Sequence, residues 1–201
     1  MIEFRHAVRP DAIDLAPRLR EADKLEVLAS SGSSPTGALL MSLKLSEPTW
    51  AAVIDGRVEA LFGVARVSAL TNTGSPWFLS SPVIYEHRLE ALRKSRERVE
   101  QWKLEYDHLK NWVDARNTVS IRWLRWLGFE IGPAVPHGVR DALFHPFEWS
   151  RQDVRSGDGD GSGLHRSDGG LPDRGGAGGE GERGLQRLGH ADQRHHRASE
   201  G

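Results

Sequence analysis

The segment Asn117-Thr-Val-Ser-Ile-Arg-Trp-Leu-Arg-Trp-Leu-Gly128-Phe129 carries the clearest structural signal in the sequence. An Asn ahead of an apolar run favours a helix start, because its side-chain oxygen can accept a hydrogen bond from an amide of the first turn. Gly128 favours a helix end, since glycine readily adopts the left-handed conformation that follows a last turn. Phe129 then begins another apolar run. The segment therefore predicts a capped helix over 117–127 that leads directly into a buried strand.

Strand and helix patterns alternate on both sides of this segment. In chain order they predict a strand (2–8), two helices (10–30 and 35–45), three strands (50–54, 57–67 and 77–80), a long helix (81–109), a strand (111–115), the helix 117–127 and two strands (129–131 and 142–149). The order is β-α-α-β-β-β-α-β-α-β-β. Two strand–helix–strand crossovers near the end imply a sheet that is parallel in part. We predict an α/β domain with one mixed sheet.

Composition changes sharply after Trp149. All seven Trp, both Tyr and all six Phe lie at or before that residue, whereas Gly, Arg, Asp, His and Ser dominate beyond it. Ordering a residue costs roughly 1–2 kcal/mol of backbone entropy, and the later segment has too little apolar area to offset that cost. We predict one domain over 1–150 and a disordered tail over 151–201. We interpret the tail as a solvated, flexible segment, and a shifted reading frame in GC-rich DNA is a further hypothesis.

Charge and residue content argue against several functions. The chain has a net charge of −1 at pH 7 and no cysteine. A neutral protein has no overall attraction to nucleic acid, so nucleic-acid binding through the arginine-rich stretches is the least favoured hypothesis. Histidines of the tail do not by themselves predict a metal site. The longest apolar stretches, at 38–45 and 58–67, are shorter than the ~20 residues of a membrane-spanning helix. We expect a protein without a membrane span that is made in the cytoplasm.

The element order and the segment 117–129 together resemble the GNAT (Gcn5-related N-acetyltransferase) fold. In that superfamily an Asn opens the fourth helix, and eleven residues later a Gly-Phe pair ends it. Asn117, Gly128 and Phe129 match this spacing. The resemblance implies a fold built for acyl transfer from acetyl-CoA.

Three further strings resemble a narrower family. They are Leu19-Arg-Glu-Ala-Asp23, Gly74-Ser-Pro-Trp-Phe-Leu-Ser-Ser81 and Asn111-Trp-Val-Asp-Ala-Arg-Asn117. Together they are similar to the internal virion protein A family of short-tailed phages and their prophage relatives, over residues 1–150. That resemblance implies a protein of the host cytoplasm and then of the virion interior, which acts through contacts with other phage structural proteins.

Two parts of an active acetyltransferase of this fold have no match in the sequence. Members hold the cofactor pyrophosphate on an Arg/Gln-x-x-Gly-x-Gly/Ala loop after the fourth strand, but this junction reads Phe78-Leu-Ser-Ser-Pro-Val-Ile-Tyr-Glu-His87. Without the glycine loop, only the dipole of the predicted helix over 81–109 could attract an anion to Ser80 and Ser81. The fourth-helix Tyr that acts as general acid in many members is replaced by Leu124. Ser80, Ser81 and Asn117 are the candidate cofactor-binding residues.

Other residues of interest have simpler structural explanations. Trp123, Trp126 and Val119 share one side of a helix and are predicted to pack in the core, with stacking on a ligand or a base as the alternative. Asp114 and Arg116 are predicted to form an ion pair at a strand end. A general base could be sought among three groups, each better explained as a surface group: Glu59, His87 and Glu130. No catalytic residue is assigned from the sequence.

The sequence thus leaves two main hypotheses. The first is a catalytically degenerate phage protein with a GNAT-like fold and no cofactor, whose long helix over 82–109 and aromatic fourth helix contact partners. The alternative is an active N-acyltransferase that binds acetyl-CoA through an atypical site. An enzyme needs the fourth and fifth strands splayed apart beside Ser80 and Asp114, whereas a structural protein can have that cleft filled by side chains such as Trp77, Tyr85 or Trp112.

Overall fold

The helix predicted after Asn117 is present in the computed structural model, which describes residues 1–151. The amide of Ser120 donates to Asn117 Oδ1 at 3.3 Å. Gly128 has a φ of +86°, a conformation that is costly for a residue with a Cβ atom, and Phe129 is buried behind it. The predicted capped helix and the strand entry are confirmed. The predicted disordered tail lies, from residue 152 onward, outside the described residues.

The strands and helices of the described chain have the following bounds: β1 (Ile2–His6), α1 (Arg9–Leu15), α2 (Glu21–Ser31), α3 (Pro35–Leu45), β2 (Ser46–Ile54), β3 (Arg57–Ser68), β4 (Thr73–Ser80), α4 (Arg88–Glu105), β5 (His108–Asp114), α5 (Thr118–Trp126), β6 (Glu130–Ile131), β7 (Val135–His137) and β8 (Ala142–Ser150). Short 3-10 turns lie at Ala16–Arg18 and Pro82–Tyr85. The predicted α/β class with one mixed sheet is confirmed.

The strand order in the sheet is β1-β2-β3-β4-β5-β8-β6, and β7 also pairs with β8. Neighbouring strands are antiparallel except β4 and β5, which run parallel. These two pair only at Thr73 with His108 and at Gly74 with Leu109. Both positions lie at the beginning of their strands, so β4 and β5 separate toward their C-terminal ends. We refer to the opening between Pro76–Ser80 and Asn111–Asp114 as the strand gap.

Helices cover both faces of the sheet. We define face A as the side covered by α1, α2 and α3, and face B as the side covered by α4 and α5. The face A core contains Leu15, Leu19, Leu39, Leu61 and Leu79. The face B core is richer in aromatic side chains and contains Phe62, Trp102, Tyr106, Phe129 and Phe147. Within residues 1–151, none of the helices is both long enough and apolar enough to span a membrane.

The helix predicted over 81–109 is wrong at both ends. Pro82–Tyr85 forms a 3-10 turn, and α4 begins only at Arg88. At the other end Asp107 and His108 both direct their amides to the carbonyl of Asn72, at 3.1 and 3.4 Å. This tertiary contact ends the helix and starts β5, although the apolar spacing continues. The burial of Leu109 therefore belongs to a strand.

Several other boundaries also differ from prediction. The first helix is interrupted before α2, because the amide of Arg20 donates to the carbonyl of Ser80 at 2.8 Å instead of to its own helix. Strand β4 begins at Thr73, four residues earlier than predicted, and the short β7 was not predicted. The interruption of the first helix thus arises from a contact between residues that are 60 positions apart in the sequence.

Candidate active site in the gap between two strands

The strand gap begins at a proline. The parallel ladder would continue through the amide of residue 76, but Pro76 has no N–H to donate. Asn111 Nδ2 instead donates to the Pro76 carbonyl at 3.0 Å, and Asn111 Oδ1 accepts the amide of Trp112 at 2.8 Å. A side chain therefore takes the place of the backbone ladder where the strands part.

The backbone of Phe78 faces into this gap. The amide of Ser81 donates to the carbonyl of Glu59 at 2.8 Å, which makes these residues a hydrogen-bonded pair of the antiparallel β3–β4 ladder. Because such pairs alternate, Phe62 and Phe78 form a non-hydrogen-bonded pair. The N–H and C=O of Phe78 consequently point away from β3 and toward the separated strand β5.

Helix α2 lies across the wide end of the gap. Asp23 Oδ2 accepts the amide of Ser80, the last residue of β4, at 3.0 Å. Less than one turn later, Glu26 Oε2 accepts the amide of Asp114, the last residue of β5, at 3.3 Å. The helix thus connects the ends of two strands that do not pair with each other at that point.

The first of these carboxylates is paired with a cation. Arg20 Nε and Nη2 donate to the two oxygens of Asp23 at 2.9 and 2.6 Å, and both side chains are buried. Arg20 Nη1 also donates to the Tyr85 hydroxyl at 2.7 Å. The ion pair is therefore held in a fixed geometry, and both oxygens of Asp23 already accept hydrogen bonds within the fold.

Glu26 has a different environment. Its Oε2 accepts a hydrogen bond from Asn117 Nδ2 at 3.1 Å, so its partners are amides instead of a cation. Burial, together with the smaller effect of the charges of Asp23 and Asp114, raises the pKa of Glu26 to about 7, although its two hydrogen bonds oppose the shift. A carboxyl group that titrates near neutral pH is suited to accept a proton there.

Asp114 is held by the neighbouring arginine, as predicted. Arg116 Nε and Nη2 lie 2.9 and 2.5 Å from its two oxygens. Burial acts to raise the pKa of Asp114, but the hydrogen bonds from Arg116 hold it below its usual range. Asp114 therefore remains ionised at neutral pH, and Glu26 is the carboxyl beside it that can take up a proton.

A cavity of about 730 Å³ includes the gap and extends along α4 as far as Ile2 and Phe4 of β1. Its walls come from both faces of the sheet: Glu26, Trp112 and His137 belong to face A, while Phe62, Trp102 and Trp123 belong to face B. The cavity therefore passes between β4 and β5. The three side chains that could have filled such a cleft, Trp77, Tyr85 and Trp112, line its walls instead.

The predicted cofactor residues lie at this gap in different situations. Ser80 and Ser81 are buried, and their amides already donate to Asp23 and to the carbonyl of Glu59. The Ser81 hydroxyl donates to the carboxylate of Glu59, so an anion there would have to displace two carboxylates. Asn117 lines the cavity beside Glu26. Cofactor binding by these three residues stays a prediction.

The three residues considered as a base from the sequence are not among the residues that line the cavity. Glu59 is buried and accepts from Arg18 Nη1 at 2.6 Å, Glu130 is exposed on β6, and His87 precedes α4. Glu26 was missed, because its position becomes meaningful only when Asp114 and Asn117 come next to it. Pro76 inside an apolar strand was the available signal for the gap.

The mouth of the cavity on face B exposes part of α5. Trp123 packs inward, 4.8 Å from the ring of Phe78, and its Nε1 donates to Ser95 Oγ at 3.1 Å. Val119 and Trp126 are 42% and 45% exposed, so their predicted core packing is wrong. These two residues line the cavity mouth.

Positive charge surrounds the same mouth. Arg88, in the first turn of α4, and Arg122, on α5, are exposed and line the cavity. The first amides of α4 have no acceptor within the helix, as at any helix start. In the described part of the chain, His, Asp and Glu side chains do not gather in groups of three that could hold a metal ion.

Comparison with known proteins agrees on the fold. No protein-family model matches the chain, and a search of curated proteins finds no relative. Solved acetyltransferase structures do match. A chimera of the spermidine N-acetyltransferase SpeG from Vibrio cholerae and hSSAT has a TM-score of 0.58 at 10% identity, covering 77% of this chain and 98% of its own.

Two other matches were solved with a cofactor. The aminoglycoside acetyltransferase AAC(6')-Ib, in complex with coenzyme A, has a TM-score of 0.56 at 15% identity and covers 78% of this chain and 98% of its own. YncA from Salmonella typhimurium, with its cofactor acetyl-CoA, has a TM-score of 0.53 at 12% identity and covers 75% of this chain and 94% of its own. The chain therefore has the GNAT fold predicted from the sequence. The comparisons give no support to the phage resemblance.

Proposed function

We propose that the protein is an N-acyltransferase that transfers the acyl group of acetyl-CoA to an amine. The observation that carries this proposal is the open strand gap, with the backbone of Phe78 on one side and the carboxyl group of Glu26 at its wide end. A structural protein has no need of an open cavity through its sheet. The alternative hypothesis from the sequence therefore fits the geometry better than a degenerate fold.

The residues around the gap fit acetyl-CoA. The N–H and C=O of Phe78 can pair with an amide of the pantetheine arm, much as an added strand would. Arg88 and Arg122 carry positive charge at the face B mouth, which suits phosphate groups in the absence of the glycine loop. Acetyl-CoA, when bound, would supply a thioester as acyl donor.

Glu26 performs the proton chemistry in this proposal. In its ionised form it accepts a proton from the ammonium group of the acceptor, which frees the nitrogen lone pair. Overall, a C–N bond forms and the C–S bond of the thioester breaks. One amine proton goes to Glu26 and another ends on the sulfur. Leu124 plays no part in this transfer, because its side chain has no proton to give.

The amide of Asn117 positions the base. The side-chain Nδ2 of Asn117 can donate to Glu26 Oε2 whether Glu26 is ionised or protonated, since Oε2 keeps a lone pair when the proton resides on Oε1. Residence in the host cytoplasm and the virion interior, and contact with phage structural proteins, rest on the sequence resemblance alone and stay predictions.

Calorimetric titration with acetyl-CoA tests the proposal. We expect saturable binding that Arg88→Glu weakens at least tenfold. Arg93→Glu is a matched control, because Arg93 is also exposed on α4 but does not line the cavity. Absence of binding at millimolar acetyl-CoA would refute the proposed function. Equal effects of the two substitutions on affinity would refute the placement of the phosphate groups at the face B mouth.

A further inference from the structure

The face A part of the cavity has a flat aromatic wall. The rings of Trp112 and His137 are stacked with centroids 4.0 Å apart and planes 12° apart, and Phe144 meets His137 edge-on at 5.5 Å. Trp77 lines the cavity too, and its Nε1 donates to Ser46 Oγ at 2.8 Å. These contacts fix the rings, so the wall presents planar apolar surfaces in a defined orientation.

The hairpin that carries His137 is attached to α2. The amide of Val139 donates to the carbonyl of Ser30 at 3.2 Å. Gly138 approaches the same turn so closely that a Cβ atom would lie 2.5 Å from the carbonyl oxygen of Ala29. The aromatic wall and the helix that carries Glu26 therefore form one rigid unit.

The charges on face A select against many amines. Three charged side chains from this face line the cavity, namely Arg20, Asp23 and Glu26. Arg20 and Asp23 neutralise each other through two hydrogen bonds, and Asp114 nearby is neutralised by Arg116. Burial lowers the pKa of His137, so its ring is neutral at neutral pH. Glu26 is left as a single carboxyl group that forms no ion pair within residues 1–151.

We infer that the acceptor is a primary monoamine with a flat apolar body, whose ammonium group meets Glu26 and whose body lies against Trp112, Trp77 and His137. This inference rests on the proposed function and specifies its acceptor. A polyamine or an aminoglycoside would bring further ammonium groups that find no carboxylate on this wall. An amino acid would bring a carboxylate next to Glu26, while Arg20 is already held by Asp23. Both substrate types are therefore disfavoured, because an unpaired charge is costly to desolvate.

Titration calorimetry with four probes tests the acceptor class, in the presence and absence of CoA. The probes are 2-phenylethylamine, its uncharged analogue 2-phenylethanol, phenylalanine and spermidine. We expect 2-phenylethylamine to bind at least tenfold more tightly than each of the others. Acetylation of the same probes, measured by mass spectrometry of the product, should follow the same order.

Two substitutions locate the binding surface. Trp112→Leu should weaken binding of 2-phenylethylamine at least tenfold, whereas Trp149→Leu should leave it unchanged, because Trp149 packs against the face B core and does not line the cavity. Glu26→Gln preserves the shape of the side chain and should remove the preference for 2-phenylethylamine over 2-phenylethanol. If Trp112→Leu does not fold, Glu26→Gln alone tests whether the acceptor amine binds at this site.

The outcomes separate this inference from the proposed function. Binding of acetyl-CoA together with equal or tighter binding of spermidine or phenylalanine would overturn the inference and leave the acyltransferase proposal intact. An unchanged preference for the amine in Glu26→Gln would also overturn it. Failure to bind acetyl-CoA would refute the acyltransferase function itself, whatever the amine titrations show.

Discussion

Asp23 and Glu26 lie three residues apart on α2, and each accepts a hydrogen bond from the end of a different strand. The guanidinium group of Arg20 donates two hydrogen bonds to Asp23, while Glu26 accepts hydrogen bonds only from amide groups. This difference in partners gives two neighbouring carboxyl groups separate tasks. Asp23 fixes the end of β4, and Glu26 remains free to exchange a proton near neutral pH.

Glu26→Gln should lower the turnover number about 10²- to 10⁴-fold, because the proton acceptor is lost. In the parent protein the turnover number should rise with pH through about 7, as Glu26 ionises. The variant should lack this rise. Steady-state kinetics from pH 5.5 to 9 measures both effects, with the exposed Glu100→Gln on α4 as control. A variant that keeps the rise near pH 7 would exclude Glu26 as the base.

Glu26 should also make stability depend on pH. Its pKa is raised from 4.5 to about 7 on folding, so between these values the folded protein binds more protons than the unfolded chain. The free energy of unfolding therefore falls as pH rises through this range. Glu26→Gln should be more stable than the parent above pH 7, by up to about 3 kcal/mol, and less if water in the cavity reduces the shift.

Urea denaturation at pH 5 and pH 8 measures this difference. We expect the advantage of Glu26→Gln to be larger at pH 8 than at pH 5. An advantage of the same size at both pH values would show that Glu26 titrates normally in the folded protein.

Asp23→Asn should lower the free energy of unfolding by about 3–5 kcal/mol, because Arg20 is left as an uncompensated buried charge. Asp14→Asn is the matched control. Its ion pair with Arg18 involves a carboxylate that is 51% exposed, so its loss should cost far less than the loss of Asp23. Chemical denaturation of both variants gives the comparison, and similar losses would contradict the structural role of Asp23.

Gly138→Ala should be clearly more destabilising than Gly56→Ala. The two glycines have nearly the same φ, +79° and +78°, so the backbone strain of an alanine is the same at both. At Gly138 the new Cβ would lie 2.5 Å from the carbonyl oxygen of Ala29, while at Gly56 it would meet nothing within 4 Å. We expect a difference of roughly 2 kcal/mol in thermal or urea unfolding. A difference near zero would show that the hairpin is not fixed to α2.

The predictable parts of the fold are those encoded by neighbours in the sequence. Asn117, Gly128 and Phe129 act on a single helix, and their roles were correct. The end of α4 was not predictable in the same way, because it depends on the carbonyl of Asn72. Trp126 was assigned to the core because the apolar pattern of α5 does not reveal that a cavity mouth lies beside it.

The candidate site was predicted even less completely. Asn117 was selected and does line the cavity, but Glu26 was not, since its partners Asp114 and Asn117 lie 88 and 91 positions away in the sequence. Phe78 contributes its backbone N–H and C=O to the site, and the type of a residue does not indicate that its backbone groups face a cavity. The missing glycine loop and Leu124 suggested lost catalysis, whereas the open gap depends on Pro76 and on α2.

The contacts of α2 with both strand ends also bear on how fast a ligand can enter. Because Ser80 and Asp114 are held apart before anything binds, a ligand can enter the strand gap without a prior conformational change of the protein. Binding then costs little conformational entropy of the chain. Association should then proceed in a single exponential phase whose rate grows linearly with ligand concentration, as for a receptor limited by diffusion and orientation.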